Sequence, residues 1–533
     1  MSALMAGIFL IQLTPVNADA AAFSNPLYHF TQLTTETTAT GARAPSFSPD
    51  GTKIAYQTGY PPSLTGEIWV MNRDGSDKTR ISEPAGFQGN PFWSPDGSKI
   101  GYLKQEATNV VLMVVDVTVA GGAYTYSAPY VWYNPASVLG WPDDMANFDW
   151  FPDGNKIIFW IDNPSHDPIC NPSDPTDCPR PADLYMFDKI TNTETQVTNT
   201  PNIKEYEPHI SPDGTTILYW SGETPGEPYA NVHTIPVAGN PPGPVKDIAM
   251  QAWCYGRGYN RGGTVIAVEH WYGTTSITGY DIWFYDTEGN FISNLTGLGA
   301  VGVYVLFPSW GPNGEIVFAS KVPSPPSYRN IWLAEPRHPG LDASTITQEE
   351  TPSGDYTVDA KARSDTEVDK KGTGTPTVTV AKYTSNPGGA QPFNAVGLYF
   401  DVSIDDATGV DSLVIRFYYT DADIAGFVES SLKAYWWTDS AWVECSPQTL
   451  HTGTVNGYSG YIEVGPILAT GTTPTLDDLV GTPFGLGGNR TPVPVGGYVA
   501  SVDRDAVLTP YLALLGLFGA VVGVFAIRRR HQA

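Results

Sequence analysis

The tetrapeptide Ser-Pro-Asp-Gly occurs at 48–51, 94–97 and 211–214, with variants Phe151-Pro152-Asp153-Gly154 and Gly311-Pro312-Asn313-Gly314. A chain that repeats one short unit must stack copies of one supersecondary element, because a single copy cannot bury its own apolar face. Measured between the glycines, the steps are 46, 57, 60 and 100 residues. The last step is long enough to hide a copy. Arg261-Gly262-Gly263, followed by Thr264-Val265-Ile266-Ala267-Val268, divides it into 49 and 51, and the count becomes six.

Proline presets φ at the first corner of a tight turn, aspartate bonds backbone N–H groups two residues on, and glycine takes the φ > 0 position. Asp50, Asp96, Asp153 and Asp213 therefore read as turn caps, since repetition suits a structural role and not a single catalytic site. An aromatic or aliphatic residue precedes each turn (Phe47, Trp93, Trp150, Ile210, Tyr259, Trp310), and an apolar run such as Ile157-Ile158-Phe159-Trp160 follows it. A third run (Ile68 to Met71, Leu184 to Phe187, Ile282 to Tyr285, Ile331 to Leu333) and a fourth, such as Lys78 to Ser82 or Glu194 to Thr198, complete a copy. Four antiparallel strands in roughly fifty residues, radially repeated, predict an all-β, six-bladed β-propeller. The sixth copy stops after three strands near Pro336, while His29-Phe30-Thr31-Gln32-Leu33-Thr34 is a fourth-strand sequence on its own. The amino-terminal strand is expected to complete that blade and close the ring, which removes exposed edges.

The unit Pro-x-(Phe/Trp)-Ser-Pro-Asp-Gly-x-Lys-Ile-Ala-(Tyr/Phe), then Ile-Trp-Val-Met and a closing Leu-Thr or Ile-Ser, resembles the TolB-type, WD-like propeller repeat over about residues 28 to 345. That resemblance implies recognition of a protein or peptide across the channel mouth or the blade loops.

Outside the repeat, the two ends of the chain speak for export. Leu4 to Leu13 is an apolar stretch of signal length and Ala18-Asp19-Ala20 a cleavage pattern, so residues 1–22 read as a signal peptide, although no Lys or Arg precedes Arg43. Leu508 to Ile527 is a run of twenty residues without a charge, followed by Arg528-Arg529-Arg530. Such a run spans a hydrocarbon core, and the arginines belong on the cytoplasmic side. The expected order is a propeller over 26–345, a β-sandwich over 346–488, a stalk over 489–507, a transmembrane helix over 508–527 and a basic tail over 528–533. The sandwich rests on strand-like runs from Thr375 to Tyr383, Val396 to Ile404, Ser412 to Thr420, Leu432 to Trp437, Ala441 to Glu444 and Gly457 to Val464. Leu413 to Tyr419 is dense enough for a central strand, and Lys433 to Val443 reads as a hairpin turning at Thr438 to Ser440. Tyr418-Tyr419-Thr420-Asp421-Ala422-Asp423, Trp436 to Val443 and Gly481 to Gly485 make this segment similar to the β domains placed before the membrane anchor in archaeal and some bacterial envelope proteins.

With 29 basic against 55 acidic residues the net charge is −26, which argues against nucleic acid as a partner. Cys170 and Cys178 share one Pro- and Asp-rich insertion and are expected to form a local disulfide; their spacing does not suit zinc. Cys254 and Cys445 read as buried small residues. Asn294 and Asn489 head Asn-x-Thr sequons and are glycan candidates in an organism that glycosylates asparagine.

No Gly-x-Ser-x-Gly elbow, His-Glu-x-x-His, P-loop or dinucleotide fingerprint is present. Function is then to be sought where the copies differ, at the start of each first strand: Asn90, Asp149, Glu205, Glu207, His209 and Arg257 make that part of the channel polar. Asn90, Asp149, Glu207, His209 and Arg257 are the candidate ligand-binding set, since convergent polar groups at a channel mouth suit a small ligand or cation. The reading is a cell-surface, membrane-anchored binding module for a protein, peptide or glycan, with no catalytic residue and no required cofactor. Its rivals are a hydrolase or lyase that uses a divalent cation in the channel, centred on Glu207 and His209, and an architectural envelope protein.

Overall fold

In the first five copies the turn closes with the same two hydrogen bonds; in copy six, one residue shorter, the Gly311 N–H donates to the Glu315 carbonyl (2.7 Å). In copy one the Gly51 N–H donates to the Ser48 carbonyl (2.8 Å), and the Ser48 N–H donates to the Lys53 carbonyl (2.9 Å). Asp50 sits inside the turn, where its Oδ1 receives the Ser48 hydroxyl at 2.6 Å and the Thr52 N–H at 3.1 Å. Partial burial alone would raise the Asp50 carboxyl, but the donors Ser48, Tyr124 and Thr52 outweigh it and hold the group at about 2. The copy that lacks the tetrapeptide builds the same turn: Gly263 N–H to Asn260 carbonyl at 2.9 Å and Asn260 N–H to Val265 carbonyl at 2.8 Å.

The computed structural model describes residues 23, 25–36, 41–59, 66–83, 86–106, 110–134, 147–162, 182–200, 203–222, 230–238, 245–252, 258–274, 277–296, 304–321 and 329–492. Copy one is an antiparallel meander of Ala42–Phe47, Lys53–Thr58, Glu67–Asn72 and Thr79–Arg80. Copy two uses Gln88–Trp93, Lys99–Gln105, Val110–Ala120 and Tyr130–Tyr133, with a hairpin arm, Ala123–Tyr126, added on the long third strand. Copy three comprises Phe148–Trp150, Lys156–Asp162, Ala182–Asp188 and Thr193–Gln196, and copy four Lys204–Ile210, Thr216–Gly222, Ala230–Pro236 and Lys246–Ala252. Copy five reduces its first strand to the Tyr259–Ile266 bridge before Val265–Thr274, Ile277–Asp286 and Phe291–Asn294. Copy six has Tyr304–Trp310, Ile316–Lys321 and Asn330–Pro336, and Tyr28–Gln32 pairs antiparallel with the last of these, Tyr28 opposite Pro336.

The closing Ile-Ser or Leu-Thr has a physical role in this pattern. The Ser82, Thr198 and Thr34 hydroxyls accept the N–H of Ile68 (3.0 Å), Leu184 (2.9 Å) and Ile331 (2.9 Å), tying the end of each fourth strand to the third. Apolar side chains of successive copies pack against one another, as where Phe92 of copy two meets Phe148 of copy three edge-on at 5.1 Å between centroids. The chain is a β-propeller through this region.

Beyond Pro336 two antiparallel sheets share one core. The first runs in the order Leu341–Glu350, Thr377–Tyr383, Ala395–Ile404, Pro483–Gly487, Lys433–Trp437 and Trp442–Glu444; the second runs Tyr356–Asp359, Thr366–Gly372, Val410–Tyr419, Tyr458–Ile467 and Gln448–Val455. Phe417 lies between them, 4.8 Å from the Phe400 ring and 5.2 Å from the Phe484 ring. The dense stretch is central, pairing on both sides, and the hairpin turns where expected, with Trp437 opposite Trp442. Leu341–Glu350 runs through the expected boundary at 345 and pairs with Thr377–Tyr383, so the two-sheet unit starts near Leu341. The polar strand Thr366–Gly372 buries Lys370, whose Nζ donates to the carbonyls of Pro352 (2.8 Å) and Gly374 (2.6 Å).

Cys445 is a buried free thiol. The Cys170–Cys178 loop, Cys254, the segment 1–22 and the segment 508–533 lie outside the described residues. Among the described residues no helix is long and apolar enough to cross a membrane.

Candidate functional site at the inner strands

The first strand of a copy is not a regular strand. In copies one, two, four and six its register shifts by a bulge, between Arg43 and Ser46, Gly89 and Phe92, Tyr206 and His209, and Leu306 and Ser309. The residue at the bulge is left-handed although it is not glycine: Ala44 (φ 48), Asn90 (φ 52), Glu207 (φ 46) and Phe307 (φ 57). Each is followed by proline (Pro45, Pro91, Pro208, Pro308), which has no N–H to leave unpaired in the interrupted ladder. A left-handed L-residue costs about 1–2 kcal/mol, so the surroundings must hold it. They do so from the neighbouring copy: the Asn90 N–H donates to Gln57 Oε1 at 3.2 Å, and the Phe307 N–H donates to Glu269 Oε1.

Two tiers of side chains result. Three residues before the aromatic stand Asn90, Asn147 and Glu207; one residue before it stand Ser46, Asp149, His209 and Ser309. The lower tier ties copies together. The hydroxyls of Ser309 and Ser46 accept the N–H of Phe47 (3.2 Å) and Trp93 (3.4 Å), and Asp149 Oδ2 accepts the N–H of Ile210 (3.0 Å) in the same way. Asp149 also takes the Trp150 N–H on Oδ1 at 2.7 Å, so both of its oxygens serve the backbone.

The structure brings three of the five candidates together. His209 Nδ1 stands 3.4 Å from Asp149 Oδ2, and Asn147 Nδ2 donates to Glu207 Oε2 at 2.7 Å, so copies three and four meet in both tiers. His209 is 2% exposed, and its Nε2 has no hydrogen-bond partner among the described residues. A cavity of about 10 Å³ adjoins it, lined by Glu207, Trp220, Val232 and Val268, which is room for one water. Asn90 belongs to copy two and is engaged with Gln57. Arg257 lies outside the described residues. Glu205 is buried; it receives the Thr198 hydroxyl, and burial pushes its carboxyl up to about 7 against that donor.

Sequence reasoning missed Asn147 and Gln57. Asn147 was within reach, because it lies two residues before Asp149 and so on the same face of the strand. Gln57 was not, because its role depends on the approach of another copy. The sequon residue Asn294 is 3% exposed, with its backbone N–H on Gln348 Oε1 (3.1 Å) and its carbonyl receiving Asn25 Nδ2 (2.8 Å). Asn489 is exposed. Among the described residues no group of three or more His, Cys, Asp or Glu side chains is placed to hold a metal ion.

No protein-family model and no curated protein matches the chain. Solved structures do. TolB from Acinetobacter baumannii is 16% identical with a TM-score of 0.35, the match covering 54% of this chain and 64% of TolB. Oligogalacturonate lyase from Vibrio parahaemolyticus is 14% identical with a TM-score of 0.36, over 59% of this chain and 95% of the lyase. The calcium-binding protein regucalcin from Agrobacterium tumefaciens is 15% identical with a TM-score of 0.36, over 58% and 94%. The likeness is one of fold.

Proposed function

We propose that the protein is a binding module: an exported, membrane-tethered propeller of six blades, followed by a β-sandwich, that captures a protein, peptide or glycan at its channel mouth. The observation that carries this reading is the meeting of Asn147, Asp149, Glu207 and His209 from two adjacent copies, with the His209 Nε2 buried beside a small cavity. Six blades are supported by the six turns and by the completion of copy six by Tyr28–Gln32. Export and tethering are supported by the apolar segments at 1–22 and 508–527.

The test is a screen of glycan and peptide arrays with the purified full-length chain, repeated with Glu207→Gln and His209→Ala. Capture of one ligand class, weakened about tenfold or more in either variant, is the expected result, since losing one hydrogen bond to a charged group costs about 1.5–3 kcal/mol. Binding that is indifferent to both substitutions places the ligand elsewhere and sinks the reading.

A further inference from the structure

Copy four departs from the others on a second set of positions, away from the inner strands. In four of the copies the third strand presents a large aromatic to the second, Trp69 opposite Tyr56, Tyr185 opposite Phe159, Trp283 opposite Val268 and Trp332 opposite Phe318, and in copy two it presents the apolar Met113 opposite Tyr102. Copy four has His233 there, opposite Tyr219. The substitution is accompanied by two polar partners on the flanking strands. His233 Nε2 lies 2.9 Å from Ser221 Oγ, and His233 Nδ1 lies 2.8 Å from Asp247 Oδ1. Ser221 and His233 are 4% and 5% exposed, whereas the Asp247 side chain is 62% exposed.

The hydrogen-bond roles follow from the donor inventory. A carboxylate only accepts, so the proton of the neutral imidazole sits on Nδ1 facing Asp247, and Nε2 presents its lone pair to the Ser221 O–H. A serine hydroxyl on the lone pair of a histidine, itself oriented by a carboxylate, is the arrangement that activates an oxygen nucleophile, and it is recognised by geometry and not by chain order. Ser221 lies at the end of its strand remote from the Ser211–Gly214 turn, directly across from Glu205. Glu205, with Asp183 beside it, lies on the Ser221 side and Asp247 on the outer side of His233, so carboxyls flank the group on both sides.

We propose that Ser221, His233 and Asp247 form a nucleophilic relay for acyl transfer, acting on a neutral or cationic ester, at a site separate from the channel tiers. Ser221 Oγ bonds to the carbonyl carbon as its proton passes to His233 Nε2. The ester C–O bond breaks, the alcohol leaves with that proton, and an acyl-serine remains. Water then repeats the sequence and releases the acid. Asp247 is a positioning residue, holding the imidazole in the required tautomer.

The experiment treats the full-length folded chain with a small neutral phosphonofluoridate, in which the Ser221 O–P bond forms, fluoride leaves and the histidine proton passes to water. Adduct mass on the Ser221 peptide is expected, absent in Ser221→Ala. The rate should fall about 10²-fold in His233→Gln. It should also fall in Asp247→Asn and recover in Asp247→Glu, which a merely structural tie between strands does not predict. Asp247 is exposed, so its variants decide the matter even where His233→Gln fails to fold. An unmodified Ser221 in the folded wild-type chain, or equal rates in wild type and Asp247→Asn, overturns the relay. Neither result touches ligand capture at Glu207 and His209.

Discussion

Gly51 of copy one stands against Pro312 of copy six: a Cβ on Gly51 would fall 2.7 Å from Pro312 Cγ. At this junction the turn does more than reverse the chain, since the proline of copy six occupies the place that a side chain at position 51 would need. Gly51 also has φ +72, a conformation that L-residues adopt at a cost. Gly154 has φ +65 but nothing within 4 Å of its added Cβ. Gly154→Ala should therefore cost only the left-handed penalty of about 1–2 kcal/mol. Gly51→Ala adds overpacking against a rigid ring, about 1–3 kcal/mol more. Denaturant unfolding of the two variants should rank them in that order; equal losses would mean that Pro312 yields freely.

The same seam carries an ion-pair latch. Arg73 donates Nη1 to Glu315 Oε1 and Nη2 to Glu335 Oε1, both at 2.6 Å, and the Glu315 side chain is only 4% exposed. Removing Arg73 leaves a buried carboxylate without its cation. Arg73→Ala should cost about 2 kcal/mol, within the range for hydrogen bonds to charged groups. Arg80→Ala, which breaks an exposed pair with Glu67 at 2.9 Å, should cost about 0–1 kcal/mol. Thermal melts of both variants check the contrast, and it fails if Arg80→Ala is the more damaging.

The repeat was legible because its signal is local. Asp, Gly and the residue before Pro determine a turn within five positions, which is why even Asn260–Val265 yielded to spacing arguments. The two-sheet unit was legible where apolar residues cluster, as in Leu413–Tyr419, and not where a strand such as Thr366–Gly372 buries a lysine. Asp149 was recognised as polar and inward, but its tether to the Ile210 N–H depends on the distance between two copies, which no local pattern encodes. His233 did leave a trace, since it puts an ionisable residue at the position that Trp69, Met113, Tyr185, Trp283 and Trp332 fill in the other copies.

Burial pushes three carboxyls up to about 7: Glu205, Asp281 and Asp401. In the unfolded chain such groups titrate near 4. Between these values the folded state binds more protons than the unfolded one, so stability is fully present below about pH 4 and is lost as pH rises toward 7. Each group contributes a slope of up to about 1.4 kcal/mol per pH unit in that window. Asp50, held at about 2, acts in the opposite sense and only at lower pH. The melting temperature should decline from pH 5 to pH 8. Asp281→Asn and Asp401→Asn should each flatten the decline, and an unchanged slope in both would count against the buried acids as its source.

Closure by the amino-terminal strand rests on Thr34 as much as on the ladder. The Thr34 hydroxyl takes the Ile331 N–H at 2.9 Å and donates to Asn330 Oδ1 at 3.1 Å, with Thr34 fully buried. Thr34→Val keeps the shape and removes both bonds, leaving the Ile331 N–H unsatisfied at a cost of about 1–3 kcal/mol. Ser82→Ala removes the corresponding bond to the Ile68 N–H within copy one, where all four strands are contiguous in sequence. A lost bond in copy one weakens one blade; a lost bond at Thr34 weakens the seam where the two ends of the propeller segment join. Native-state hydrogen exchange should therefore show Thr34→Val loosening the amides of both Tyr28–Gln32 and Asn330–Pro336, while Ser82→Ala affects copy one alone. Protection of Tyr28–Gln32 that survives Thr34→Val unchanged would show that backbone pairing alone holds the closing strand.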